Sequence, residues 1–127
     1  MKDVTRQFLE KAERAITTAE HIMADGDPES AAGRAYYAMF YVAEALLHER
    51  DLRFRKHGGV HAAFGEHFAK AGLLDAKYHR WLLAAFEKRL TADYEVGELI
   101  ESQEVAALIQ QAREFLQEAQ RYLASPR

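Results

Sequence analysis

The chain has no cysteine among its 127 residues. That excludes a disulfide scaffold, a Cys-ligated zinc site and a thiol nucleophile, and it fits a reducing compartment. Proline is almost as scarce: there are two, Pro28 and Pro126, the second in the tail. No apolar run approaches the ~20 residues that a membrane-spanning helix needs. The stretch from Met1 to Glu10 mixes charges with single apolar residues and lacks the core of a signal peptide. A soluble, cytoplasmic protein is therefore expected. The net charge of -3 excludes a surface coated in positive charge for duplex binding, so contact with nucleic acid would need a local patch. Runs of β-branched residues are missing as well. What dominates is Ala, Glu, Leu, Lys, Arg and Gln, the good helix formers. One all-α domain over residues 1–127 is expected, because domains commonly run to about 100–150 residues.

The spacing of apolar residues divides the chain into helices. Phe8, Ala12, Ala15, Ile16, Ala19 and Met23 recur with a period near 3.6 and predict a first helix over 3–24. Asp25-Gly26-Asp27-Pro28 stops it and starts a second over 28–49, burying Ala31, Ala35, Met39, Val42, Ala43 and Leu46. Residues 51–59 read as a connection, positively charged at Arg50, Arg53, Arg55, Lys56 and His57, and ended by Gly58-Gly59. A shorter helix over 60–70 buries Val60, Phe64 and Phe68, and Gly72 ends it. Asp75 caps a fourth helix reaching Tyr94, with Tyr78, Trp81, Leu82, Ala85 and Phe86 on its buried line and Gly97 in the exit loop. The last helix begins near Ser102, and residues 123–127 form a frayed tail. Short connections between long helices favour an up-and-down bundle of four to five helices.

Three groups of residues can carry chemistry. The buried stripe of the fourth helix turns charged at Arg89 and Asp93, and Tyr94 follows. An Arg at the wet end of such a stripe can fork a phosphate, with Asp93 orienting it and Tyr94 offering a hydroxyl. The same pair can equally be an intrahelical ion pair worth about 0.2–0.5 kcal/mol. Arg34, Tyr37 and Tyr41 fall on one side of the second helix, with Tyr36 beside them. They suit base stacking and phosphate contact, or a helix–helix or dimer interface. Tyr36, Tyr37, Phe40 and Tyr41 together exceed what one bundle stripe needs, which points to a homodimer. His57 and His61, near Glu66 and His67, make an incomplete ligand set, and Gly58-Gly59 interrupts helix between them. No metal or cofactor is expected. Glu87 has no carboxylate partner for a glycosidase-like pair, and neither a phosphate-cradling Gly loop nor Gly-x-Ser-x-Gly occurs.

Three blocks resemble the HEPN family (higher eukaryotes and prokaryotes nucleotide-binding), above all its small stand-alone prokaryotic members. They are Arg34-Ala35-Tyr36-Tyr37-Ala38-Met39-Phe40, then Lys56-His57-Gly58-Gly59-Val60 with Phe64-Gly65, then Ala85-Phe86-Glu87-Lys88-Arg89 through Ala92-Asp93-Tyr94. The resemblance covers nearly the whole chain. It implies a HEPN-like bundle, usually dimeric, often encoded beside a minimal nucleotidyltransferase as toxin and antitoxin. Many members are metal-independent ribonucleases with an Arg, four to six residues, then a His. The paired motifs face each other across the dimer cleft, where the RNA's own 2′-hydroxyl attacks the adjacent phosphate. Arg89 matches the Arg position. After four intervening residues, however, the chain has Tyr94, Leu90 follows the Arg where active members carry a polar residue, and no His occurs after His79. Tyr, with an ordinary pKa near 10, is a poor substitute for His as acid or base. In some nucleotidyltransferase pairs the partner adenylylates a Tyr near this motif, and Tyr94 is the nearest one here.

Three functions follow as expectations. The first is a dimeric HEPN protein of a toxin–antitoxin or stress module, binding RNA or nucleotide at Arg89 with help from Arg34, Tyr37, Lys56 and His57. The second is a metal-independent endoribonuclease in which His57 or His61 supplies the missing imidazole. The third is a non-catalytic helical scaffold in which Arg89 and Asp93 lock the bundle.

Overall fold

The computed structural model describes residues 1–94 and 100–125. Over those residues it is all-helical: α1 (Asp3–Ala24), α2 (Pro28–Glu49), α3 (His57–Phe64), α4 (Lys77–Tyr94) and α5 (Ser102–Ala124), with a π-helical segment, Gly65–Ala69, continuing α3. Gly97, Pro126 and Arg127 lie outside the described residues.

The local signals act where the sequence puts them. Gly26 adopts φ +85°, the left-handed region open to glycine, and ends α1. Asp27 then caps α2, accepting from the Ser30 N–H at 3.2 Å and from its hydroxyl at 2.6 Å, and Pro28 occupies the first turn. So short a turn makes α1 and α2 antiparallel. The buried Thr5 hydroxyl accordingly donates to Glu49 at 2.8 Å, tying the start of α1 to the end of α2.

The second helix is the axis of the bundle and packs on α1, α3, α4 and α5. Half of its twelve buried side chains are alanine, with Ala31, Ala32, Ala35, Ala38, Ala43 and Ala45 all fully enclosed, so its neighbours can come close. Ala12, Ala15 and Ala19 of α1 answer them. Arg113 of α5 reaches Glu13 at 3.4 Å and Glu20 at 3.2 Å on α1.

Three expectations need correction. Gly58-Gly59 does not interrupt the helix: both lie in the first turn of α3, which starts at His57. Gly59 is there for space, since a Cβ on it would stand 3.2 Å from the Cβ of Phe54. The tail does not begin at Leu123, which is buried in the core while α5 continues to Ala124. Finally, the aromatic excess of α2 is not all surface. Tyr36 and Phe40 are 0% and 7% exposed within this one chain, leaving Tyr37 and Tyr41 partly uncovered. No described helix is long and apolar enough to cross a membrane.

Candidate functional site

Tyr36 is the hub of the candidate site. It sits in the middle of α2, fully buried, and its hydroxyl lies 2.9 Å from His57 Nδ1 and 2.7 Å from His61 Nε2. The two imidazoles reach one oxygen because α3 runs unbroken from His57, placing His61 one turn along the same face. A phenol has one proton, so Tyr36 donates to one ring and accepts an N–H from the other. Burial, the largest cause, and then the charge of Tyr37 push the Tyr36 phenol well above its ordinary range, against the pull of Arg89. It is a neutral hydrogen-bonding group.

Packing closes this polar knot around Tyr36 and His61, while His57 stays partly exposed. The Phe40 and His57 rings lie 4.4 Å apart, and Phe86 of α4 lies 5.0 Å from His61. His79 of α4 donates from Nε2 to the His61 carbonyl at 3.0 Å. Gly65 leaves room for it, because a Cβ there would fall 2.6 Å from the His79 ring. Both knot histidines are harder to protonate than a free one. His61 is held down to about 4, by burial and then by His57 and His79. His57 is lowered by burial and then by the Arg89 charge.

Arg89 closes the cluster from α4. Its guanidinium carbon lies 5.0 Å from the centroid of the Tyr37 ring and 5.9 Å from that of Tyr36, and its Nε is 3.3 Å from Asp93. Arg34 approaches Tyr37 at 5.2 Å, so one tyrosine ring serves two guanidinium groups. Asp93 pairs with Arg89, and the Glu44 charge also acts on Tyr36, so cations and carboxylates are mixed around this ring pair. The Arg89 side chain is 21% exposed, so the site is open on one side.

The structure thus joins Arg89, Asp93, Arg34, Tyr37 and His57. It does not join Tyr94 or Lys56. Tyr94 is 74% exposed at the end of α4, and Lys56 is exposed just before α3. Of the basic connection, Arg50 serves the fold, donating to the His67 carbonyl at 3.3 Å and covering Phe68. Sequence reasoning misses the role of Tyr36 as a hydrogen-bond hub. The available signal is Tyr36-Tyr37 itself: adjacent helical residues point about 100° apart, so one of the two has to turn inward.

Comparison with known proteins names the architecture. The HEPN domain model matches residues 5–122. The chain belongs to the HEPN family. It is 32% identical over 119 residues to "Putative toxin MJ0142" of Methanocaldococcus jannaschii, covering 94% of this chain and 81% of that one. A UPF0332 protein of Thermotoga maritima is 36% identical over 115 residues, 89% of this chain and 86% of its own. Another, from Gloeobacter violaceus, is 32% identical over 120 residues, covering 94% and 95%. Within this HEPN bundle the imidazoles near Arg89 come from α3, not from the end of α4.

Proposed function

We propose that this protein is the HEPN component of a toxin-type module, working as a homodimer with a minimal nucleotidyltransferase and binding RNA or nucleotide at Arg89. The observation that carries the reading is the partly exposed Arg89 guanidinium, held over the Tyr37 ring that Arg34 also approaches. Such a group combines a bidentate phosphate fork with an aromatic face for a base. A toxin name on one relative and the family match over residues 5–122 support the toxin-type reading. The exposure of Tyr94 supports modification by a partner, since its hydroxyl is open to an incoming nucleotide.

A second reading is a metal-independent ribonuclease, favoured by His57 Nδ1 lying on the Tyr36 hydroxyl. When His57 donates that hydrogen bond, its Nε2 keeps a lone pair and can take the proton of an RNA 2′-hydroxyl. The 2′-oxygen then bonds to the adjacent phosphorus, the P–O5′ bond breaks, and the 5′-oxygen leaves with a proton from solvent or the facing protomer.

One experiment separates these from the scaffold. Purified protein and Arg89→Ala are incubated with labelled single-stranded RNA in EDTA across a pH series, with binding read by anisotropy. Binding lost in the variant without cleavage supports the first reading. Cleavage lost in both Arg89→Ala and His57→Ala supports the second, with an acidic limb below the usual histidine pKa, since burial and Arg89 lower His57. Neither binding nor cleavage in the parent leaves the scaffold, with Arg89 and Asp93 as a lock.

A further inference from the structure

The α1–α2 groove gathers cations from two helices. Lys11, Arg14 and Thr18 of α1 line it with Arg34 and Tyr41 of α2, around a volume of about 190 Å³. Among the described residues outside the groove, seven lysines and arginines carry carboxylate partners, among them Lys2 with Asp51, Lys77 with Glu114, Lys88 with Glu104, and Arg113 with Glu13 and Glu20, while Arg50, Arg53, Arg55, Lys56, Lys70 and Arg80 carry none. Lys11, Arg14 and Arg34 make no such ion pair among the described residues. The acid nearest in effect is Glu44, which feels the Lys11 charge but sits 3.2 Å from His48. Arg34 Nε is also buried with no hydrogen-bond partner, an unusual state for a group that donates so readily.

This groove is continuous with the Arg89 site. Tyr37 lies under Arg89 at 5.0 Å and under Arg34 at 5.2 Å. Its ring is 5.9 Å from that of Tyr41, over which Lys11 Nζ stands at 4.7 Å. Cations and partly uncovered rings therefore alternate along one path, from the end of α4 across α2 to α1. That alternation is how proteins follow a single nucleic-acid strand: phosphates on the cations, bases on the rings. A rigid duplex would need a broader positive face than this chain of net charge -3 presents.

We infer that the α1–α2 groove is a second subsite, binding the phosphate backbone of a single-stranded RNA whose bound nucleotide lies at Arg89. Lys11, Arg14 and Arg34 take successive phosphates, and Tyr41 offers its ring to a base. This rests on the reading of Arg89 as an RNA site, and it adds residues and a direction to that site.

The test is the salt dependence of the affinity of the full chain for a labelled single-stranded RNA oligonucleotide. It compares the parent with Lys11→Ala/Arg14→Ala, with Arg89→Ala, and with Arg80→Ala as a surface control away from the groove. Lys11 and Arg14 are exposed and Ala favours helix, so the double variant folds; circular dichroism and the urea midpoint verify that. Its log K against log salt slope should be shallower by about 1.4, that is about 0.7 for each of the two phosphates of a single strand that it no longer neutralises, while Arg80→Ala keeps the parental slope. An unchanged slope in the double variant, with binding still weakened by Arg89→Ala, overturns the groove and leaves the Arg89 reading standing. A parent that binds no RNA overturns both. A double variant that changes the sedimenting mass assigns the groove to an interface between copies of the chain, which also overturns the inference.

Discussion

Two aromatic clusters of similar size turn their polar atoms in opposite directions. Around Phe115, the rings of Phe64 and Tyr78 pack at 5.3 and 5.2 Å, and Phe68 stacks on Phe64 at 5.6 Å. The polar atom of that cluster points out: the Tyr78 hydroxyl donates to Glu114 at 3.1 Å, and Lys77 closes on the same carboxylate at 2.8 Å. Around Tyr36 the polar atoms point in. A hydroxyl and the His61 imidazole are enclosed, His57 is partly exposed, and an arginine sits at the rim. The first arrangement needs nothing beyond apolar burial to be stable. The second needs every hydrogen bond satisfied, because each lost partner leaves a desolvated group behind. This second cluster is the one beside Arg89.

The comparison is broken most severely from its dry side. Phe115→Ala, at a fully buried position, should lose about 3–5 kcal/mol in urea unfolding, by transfer loss and the cavity left behind. Acid reaches the first cluster only at its rim, through Glu114, whose carboxyl Lys77 and Tyr78 hold below its ordinary range, whereas it acts inside the other. His61 titrates near 4 when folded and near 6.5 when unfolded, so its contribution is complete above pH 6.5 and is lost as pH falls toward 4. At 1.36 kcal/mol per unit the window is worth roughly 3 kcal/mol. His57 adds to it with the same sign. The groups facing the pair are Tyr36, Arg89 and His79; burial is the largest cause of both shifts, with Arg89 next for His57 and then His57 and His79 for His61. His61→Gln, which keeps a polar group near Tyr36, should flatten urea stability between pH 6.5 and 4; an equally steep curve would place the acid sensitivity elsewhere.

The dry cluster is legible in the sequence and the wet one only in part. Helical periodicity puts Phe64, Phe68, Tyr78 and Phe115 on buried faces, and all are buried. Asp27 and Pro28 set the start of α2 to the residue. The wet cluster depends on facts that periodicity does not carry. Gly58-Gly59 reads as a helix stop by propensity, yet both lie in the first turn of α3, whose His57 and His61 share the Tyr36 hydroxyl. That override is what brings His57 and His61 together. Arg89 and Asp93 are visible as charge on a buried line, but that Arg89 meets Tyr37 depends on how α4 lies against α2. Lys11 and Arg14 read as solvated face, because only the meeting of α1 and α2 turns them into a groove wall.

Two smaller changes sharpen the contrast inside the wet cluster itself. Tyr36→Phe keeps the ring and removes the oxygen shared by His57 and His61. It should cost about 1–3 kcal/mol, the range for a buried polar group left unpaired, and the same deletion at Tyr78 should cost less, because that hydroxyl lies at the edge beside Glu114. Asp93→Ala is expected to do least. Its pair with Arg89 spans one turn of α4, with the carboxylate 42% exposed, and pairs of this kind contribute about 0.2–0.5 kcal/mol. Removing the carboxylate frees the Arg89 guanidinium for a phosphate, so RNA affinity should hold or rise while stability scarcely moves. A stability loss of several kcal/mol with unchanged affinity would reverse the assignment, making Arg89 a brace held by Asp93. The wet cluster would then be a second core that happens to contain polar atoms.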